Sequence, residues 1–443
     1  MVRNLVVVVG ATGQQGGSVV KALLRDNHYN IRGVTSNVNA EASSALKAQG
    51  VQMVEADLDN ADSVLRAFKG AYAIFGVTDF AEQARQHGVA GAQEAELRQA
   101  TNIANAAAAT PSLQHYIWST IPSAQAISNG TISVPHFESK ASVDEYILRR
   151  LEPLAQKTTF LWVGYYPSNI MALAMAPTFH ATSGKYVWLS PVAGDTVVSS
   201  IGSQKDNVGL FVRAILRQPL LTLPSKYVMA AVEQLSLGEI IKLYGELTGR
   251  DTRLVCVGPT AFHELFPMWD AVRDMLLFWQ AHGARSFAKH RVVPLTSVEL
   301  SIDKAELVTS RESLKMLLQK DPDFWSSVGT SFSNTDMTLA TAVDLTLARK
   351  QCNELEIATL SMLPRSSPVY KSQNPLVSSS NADRVRQSTS GRRVCIASRP
   401  LKLQVPSPPR LLATVVLAAT FARYPYPYTS IRPAPDKLDF CFS

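Results

Sequence analysis

The fold class expected from the sequence is α/β: a doubly wound parallel sheet, followed by a smaller mixed α/β domain and a disordered tail. Three observations predict it. A short, wholly apolar, mostly β-branched run opens the chain at Leu5–Val9, as in a strand buried on both faces of a parallel sheet. Gly10, Gly13 and Gly16 follow at once, and a helical pattern begins there. Strand-like and helix-like segments then alternate as far as about residue 166, the order that builds βαβ units.

The elements follow in turn. After Leu5–Val9 a helix is expected from about Thr12 to Arg25, then a second strand over Tyr29–Thr35. A helix over Glu41–Gln49 is closed by Gly50. Val51–Ala56 is a third strand, with Asp57 at its carboxyl end. Asn60 suits the N-cap of a helix that buries Val64, Leu65 and Phe68 and stops at Gly70. Ala71–Val77 is a fourth strand, and an Ala-rich helix spans Ala92–Ala109. Tyr116–Ser119 is a fifth strand, Pro122–Pro135 a loop, His136–Arg150 a helix, and Phe160–Tyr166 a sixth strand. Beyond it, Asp206–Arg217 reads as a helix, and Ser236-Leu-Gly-Glu239 as a capping box closed downstream by Gly249. Phe262, Leu265, Trp269, Val272, Leu276, Phe278 and Trp279 form an apolar stripe, expected in a core or a dimer surface.

The expected domains are 1–166, 167–326 and a low-complexity tail, 327–443, rich in Ser, Pro and Arg. The net charge of +7 belongs to that tail: Ser331–Ser443 holds 14 Lys/Arg against 7 Asp/Glu, leaving 29 of each before it. The basic balance therefore gives the folded part no preference for nucleic acid. None of the four cysteines has CxxC spacing, and Cys256, inside a strand-like run, is expected as a small core residue. The longest apolar run, Leu411–Ala422, is too short to span a bilayer. The start of the chain shows a strand rather than a signal segment, so the expected location is cytoplasmic. The scattered histidines show no metal-ligand spacing, and no metal is expected.

In a doubly wound sheet, ligands bind beyond the carboxyl ends of the strands. Small residues at Gly10, Gly13 and Gly16, where a strand gives way to a helix, let backbone N–H groups approach a diphosphate. The first domain is therefore expected to bind a dinucleotide. Thr12, Gln14 and Gln15 would join the glycines at the phosphates. Thr35, Ser36 and Asn37 follow strand two, where an NAD-specific site wants a carboxylate for the ribose hydroxyls. Its absence leans toward NADP(H), with Arg32 the nearest guanidinium. Asp57 is a candidate for the adenine amino group, and Val77 and Thr78 for the ribose and nicotinamide. Ser119, Tyr166 and Asn169 stand at later strand ends. His136 and Lys140, four apart, share a helix face. A lysine there holds ribose hydroxyls and stabilises developing negative charge, and a histidine exchanges a proton.

The segments Gly10-Ala-Thr-Gly-Gln-Gln-Gly-Gly, Phe75-Gly-Val-Thr-Asp-Phe, His136-Phe-Glu-Ser-Lys-Ala, Gly164-Tyr-Tyr-Pro-Ser-Asn and Leu235-Ser-Leu-Gly-Glu together resemble the NmrA-like family of atypical short-chain dehydrogenase/reductases over about residues 3–325. The resemblance implies a Rossmann domain that binds NADP(H), NADPH weakly preferred over NADH, and a small domain closing a substrate cleft. It implies an NAD(P)H-dependent oxidoreductase acting on a carbonyl or conjugated double bond in a secondary-metabolite pathway. Lys140, His136 and Ser119 are its expected catalytic residues. The partner is then a small-molecule substrate, with neither nucleic acid nor membrane. The alternative is a dinucleotide-sensing regulator with a protein partner. Two positions depart from the family pattern. His136 stands where related dehydrogenases carry a tyrosine four residues before the lysine, and Ser36 where an arginine is frequent. The tail has no counterpart there.

Overall fold

Four consecutive buried valines make β1 (Leu5–Val9) the interior strand of a seven-stranded sheet in the computed structural model. β-Branched side chains on both faces suit a strand covered by helices on each side. The structure describes residues 3–172, 174–289 and 292–320. The expected tail, 327–443, lies outside them, as do Cys352, Cys395, Cys441 and His290.

From β1 the chain runs through α1 (Gln14–Asp26), β2 (Asn30–Thr35), α2 (Glu41–Ala48), β3 (Gln52–Glu55), α3 (Ala61–Phe68) and β4 (Ala73–Gly76). It continues through α4 (Phe80–Ala108), β5 (His115–Thr120), α5 (Ala124–Ile127), α6 (Pro135–Arg150), α7 (Glu152–Ala155) and β6 (Thr158–Val163). Next come β7 (Thr178–His180), β8 (Lys185–Ser190), β9 (Val197–Ser200), α8 (Asn207–Arg217), α9 (Pro219–Thr222) and β10 (Lys226–Ala230). The last elements are β11 (Glu233–Ser236), α10 (Leu237–Thr248), β12 (Thr252–Cys256), α11 (Gly258–Leu265), α12 (Asp270–His282) and α13 (Ser310–Lys320).

The large sheet has the order β10-β6-β5-β4-β1-β2-β3, and every pairing in it is parallel. This is the expected doubly wound class. The order reverses between β1 and β4, which opens a crevice at their carboxyl ends. One face of the sheet is covered by α1 and α8, through Val19, Val20 and Leu23 against Val208, Phe211 and Ile215. The other is covered by α3, α4 and α6, through Val64, Phe68, Ile103, Val143 and Ile147. The seventh strand, β10, comes from beyond residue 167. A third core gathers Tyr165, Trp188, Ile240, Tyr244, Leu276 and Trp279, and Phe137 of α6 joins it. The capping box at Ser236 and the left-handed Gly249 both form.

Four local expectations are corrected. The Ala-rich helix starts at Phe80, not Ala92, because the Asp79 carboxylate caps it by accepting from Glu82 N at 3.1 Å; Gly88, at φ +70°, breaks it inside. The loop 122–135 contains α5, capped by Ser123, which accepts from Ala126 N at 2.9 Å. Strand six ends at Val163, because Tyr165 N donates to Ser199 O at 2.8 Å and draws the chain toward β9. Cys256 is exposed, not core: β12 is the edge of the three-stranded sheet β12-β8-β7. Among the described residues no helix is long and apolar enough to cross a membrane.

Candidate functional site

The crevice begins with the turn between β1 and α1. Gly10 has φ +64°, a backbone state that costs other residues, and Gly13 N donates to Gly10 O at 2.8 Å. A Cβ at Gly16 would sit 2.2 Å from Gly10 O and 2.8 Å from Val9 O, so only glycine lets the helix start this close to the strand. α1 opens at Gln14 with Gly13 as N-cap, without a side-chain cap and without an acidic residue in its first turn. Its first N–H groups therefore remain available to an anion, at the positive end of the helix dipole. Unpaired N–H groups at a glycine turn that opens a helix are what a diphosphate takes.

Side chains frame the cradle. Gln204 Nε2 donates to Gln14 Oε1 and, at 2.7 Å, to Ser168 Oγ. Thr12 and Thr35 hydroxyls lie 3.4 Å apart, and Thr35 Oγ1 accepts from Asn37 N at 3.3 Å. Ser36 and Asn37 are exposed at the end of β2. Arg32 is not near them in function: it donates to Ala67 O at 3.0 Å and Lys69 O at 2.7 Å, spending its guanidinium on the end of α3. Asp57 is exposed, and its Oδ1 accepts from Asp59 N at 2.9 Å in a local turn. Val77 covers the turn, with Cγ1 3.4 Å from where a Cβ on Gly10 would be.

Lys140, on α6, reaches the end of β4. Its Nζ donates to Thr78 Oγ1 at 3.0 Å, to Thr78 O at 3.2 Å, and to Glu96 Oε1. Glu96 is fully buried on α4, and Lys140 is 15% exposed. The carboxylate also accepts from Thr78 Oγ1 at 2.8 Å and from Ser139 Oγ. Both oxygens of Glu96 thus have donors, three in all, the kind of compensation under which a buried ion pair is tolerated.

Ser119, at the end of β5, belongs to a second group. Its hydroxyl donates to Gln15 Oε1 at 2.7 Å, and Gln15 Nε2 donates to Tyr166 OH at 2.6 Å. One glutamine thereby ties the glycine turn to the ends of β5 and β6. Asn169 takes part through its backbone, its N donating to Tyr166 O at 2.9 Å. Burial pushes the Tyr166 phenol up to about 12, helped by Asp79 and opposed by the Gln15 hydrogen bond.

His136 packs against Phe80 and Phe137, at ring-centre distances of 5.5 Å and 4.8 Å. Burial pushes its pKa down to about 4; Glu96 pulls it up and Lys140 down. The imidazole is therefore neutral at neutral pH. Further along the same helix, burial pushes the Asp144 carboxyl up to about 8, and its Oδ1 has no partner among the described residues.

Most of the expected residues thus fall into the glycine cradle, the Lys140–Thr78 pair and the Ser119–Gln15–Tyr166 chain; Ser36, Asn37 and Asp57 are exposed outside them, and His136 packs against Phe80 and Phe137. Ile170 and Met175, in the segment that follows Tyr166, belong to the third core. Glu96 was absent from the sequence reading. Its signal was present: it stands four residues from both Ala92 and Ala100, on the buried face of α4. A carboxylate there needs a cation. Among the described residues, no cluster of three or more His, Cys, Asp or Glu is placed to hold a metal ion.

A FrzB protein of Cladobotryum sp., named an NmrA-like family domain-containing oxidoreductase, is 27% identical over 323 residues, covering 67% of this chain and 90% of its own. The crystal structure of NmrA, a negative transcriptional regulator, in complex with NADP superposes with a TM-score of 0.57 at 18% identity, covering 72% of this chain and 97% of that one. The quinone oxidoreductase QOR2 of Escherichia coli, complexed with NADPH, gives 0.52 at 17% identity, covering 71% and 99%. At such identities the two structures show a shared fold. The model of the NmrA-like family matches residues 3–310, and this chain belongs to that family.

Proposed function

We propose that the chain is an NAD(P)H-dependent oxidoreductase that reduces a carbonyl or conjugated double bond of a small organic substrate in a secondary-metabolite pathway. One observation carries the reading. An uncapped glycine turn at the end of β1 and a lysine fixed at the end of the neighbouring strand β4 stand at the same edge of the sheet. The names of FrzB, an oxidoreductase, and of QOR2, complexed with NADPH, support it.

Gly10, Thr12, Gly13, Gln14, Gln15 and Gly16 would hold the diphosphate. Thr35, Ser36, Asn37 and Asp57 would meet the adenosine half, and Val77, Thr78, Lys140, Tyr166 and Asn169 the nicotinamide half. The absence of a carboxylate directly after β2 favours NADPH weakly over NADH. When bound, the reduced nicotinamide supplies a hydride. Lys140 holds a fixed positive charge close to the developing negative charge. Ser119 spends its proton on Gln15, so it acts by holding that amide. His136, being neutral, passes a proton on from one ring nitrogen only by taking up another at the second.

The test is binding of NADPH and NADH by the purified protein, followed by turnover over aryl ketones, enones and quinones. A second reading has its own support. His136 replaces the usual tyrosine and is neutral, and NmrA itself is named a negative transcriptional regulator. A dinucleotide-sensing regulator would bind the cofactor and turn over nothing. The variant that separates the two is Lys140→Ala combined with Glu96→Gln, which leaves no buried charge alone. Turnover that collapses while dinucleotide affinity is mostly retained identifies the reductase; binding with no turnover in either protein identifies the sensor.

A further inference from the structure

We infer that Tyr166 is the hydrogen-bond donor to the substrate oxygen, filling from the end of β6 the role left open by His136. The inference rests on the reductase reading above and deepens it.

The argument is an inventory of protons. Ser119 is 2% exposed, and its single hydroxyl proton goes to Gln15 Oε1 at 2.7 Å. With the Gln15 amide in this orientation, its Nε2 donates to Tyr166 OH, 2.6 Å away. A phenol oxygen that accepts from an amide keeps its own O–H free to donate elsewhere. Tyr166 has no acceptor among the described residues and is half-buried, beside the crevice. Ser119 and Gln15 thus act as positioning residues that aim one spare proton. His136 is a poor source, because its pKa lies at about 4. Lys140 is held by Glu96 and Thr78. Tyr166 stays protonated across the working range, since burial pushes it up to about 12.

The step balances with the reduced nicotinamide dinucleotide as reductant. As a hydride adds to the carbonyl carbon, the π pair moves onto oxygen. That oxygen takes the Tyr166 proton, the phenol O–H bond breaks, and the phenolate recovers a proton from water.

Two measurements on Tyr166→Phe test this, in the full chain with its melting temperature checked. The first is turnover of whichever aryl ketone, enone or quinone the wild type reduces. The rate constant is expected to fall about fiftyfold, well beyond any accompanying loss of NADPH affinity, the split expected of a group that acts on the reacting atoms. The second needs no hydride transfer: the infrared carbonyl stretch of carbon-13 acetophenone bound to the NADP+-loaded protein. In wild type the stretch is expected at lower wavenumber than in an aprotic solvent, and Tyr166→Phe is expected to remove that shift. A carbonyl band at one position in both proteins, or turnover by the variant within twofold of wild type, overturns the inference. A wild type that binds the dinucleotide and reduces nothing overturns the reductase reading instead, which is a distinct result.

Discussion

Lys140 and Glu96 form an ion pair between α6 and α4, with the carboxylate fully buried and also bonded by Thr78 and Ser139. The pair fixes the ammonium at the end of β4 and ties two helices together beneath the candidate site. Removing one member of such a pair strands a buried charge, which costs about 3–5 kcal/mol. Glu96→Gln and Lys140→Met are each expected to lower stability on that scale. The double variant is expected to lose clearly less than the sum. Denaturant unfolding of the three variants checks this, and additive losses would mean the charges do not interact.

The glycine turn offers a different test. At Gly16 a methyl group collides with backbone atoms at 2.2 Å and 2.5 Å, which cannot move aside as a flexible side chain could. Gly16→Ala is expected to push α1 off the turn, to lower the melting temperature, and to weaken dinucleotide binding at least tenfold, roughly 1.4 kcal/mol. Calorimetric titration of the variant against wild type reads the affinity.

His136 should be silent near neutrality. Its folded pKa of about 4 lies below the ordinary 6.5, so the unfolded chain binds a proton there that the folded one refuses. Stability is therefore lost as pH falls from about 6.5 toward 4. The ring's NMR signal is expected to stay constant from pH 8 down to 5. A midpoint near 6.5 would show that burial by Phe80 and Phe137 does not desolvate it.

Asp144 carries the opposite sign. Its folded pKa of about 8 lies above the ordinary 3.8, so the folded chain holds a proton that the unfolded chain releases between those values. Stability due to this group is complete below about pH 4 and declines as pH rises toward 8. Asp144→Asn removes the dependence. Its melting temperature relative to wild type is expected to climb steadily from pH 5 to pH 8, as thermal unfolding at each pH would show.

Much of this was legible in the sequence because it is local. Leu5–Val9, the three glycines, the Asn60 cap and the Ser236 box each announce themselves within a few residues. The class of fold followed from the first apolar run, the glycines after it and the alternation of strands with helices. What stayed hidden depends on residues distant in the chain. Glu96 finds Lys140 across 44 positions, and Gln15 reaches Tyr166 across 151. The Asp79 carboxylate caps α4, so that the helix begins at Phe80, twelve residues before its expected start at Ala92. Cys256 looked like core because apolar runs do not reveal which strand becomes an edge.

The account stands most directly on whether a dinucleotide's diphosphate settles on the amides of the β1–α1 turn. Isothermal titration of the purified protein with NADPH, repeated with Gly16→Ala, reads this without knowledge of the substrate. Saturable one-to-one binding to wild type, lost or at least tenfold weaker in the variant, is the expected result. No heat from NADPH or NADH, or equal affinity in both proteins, would contradict it.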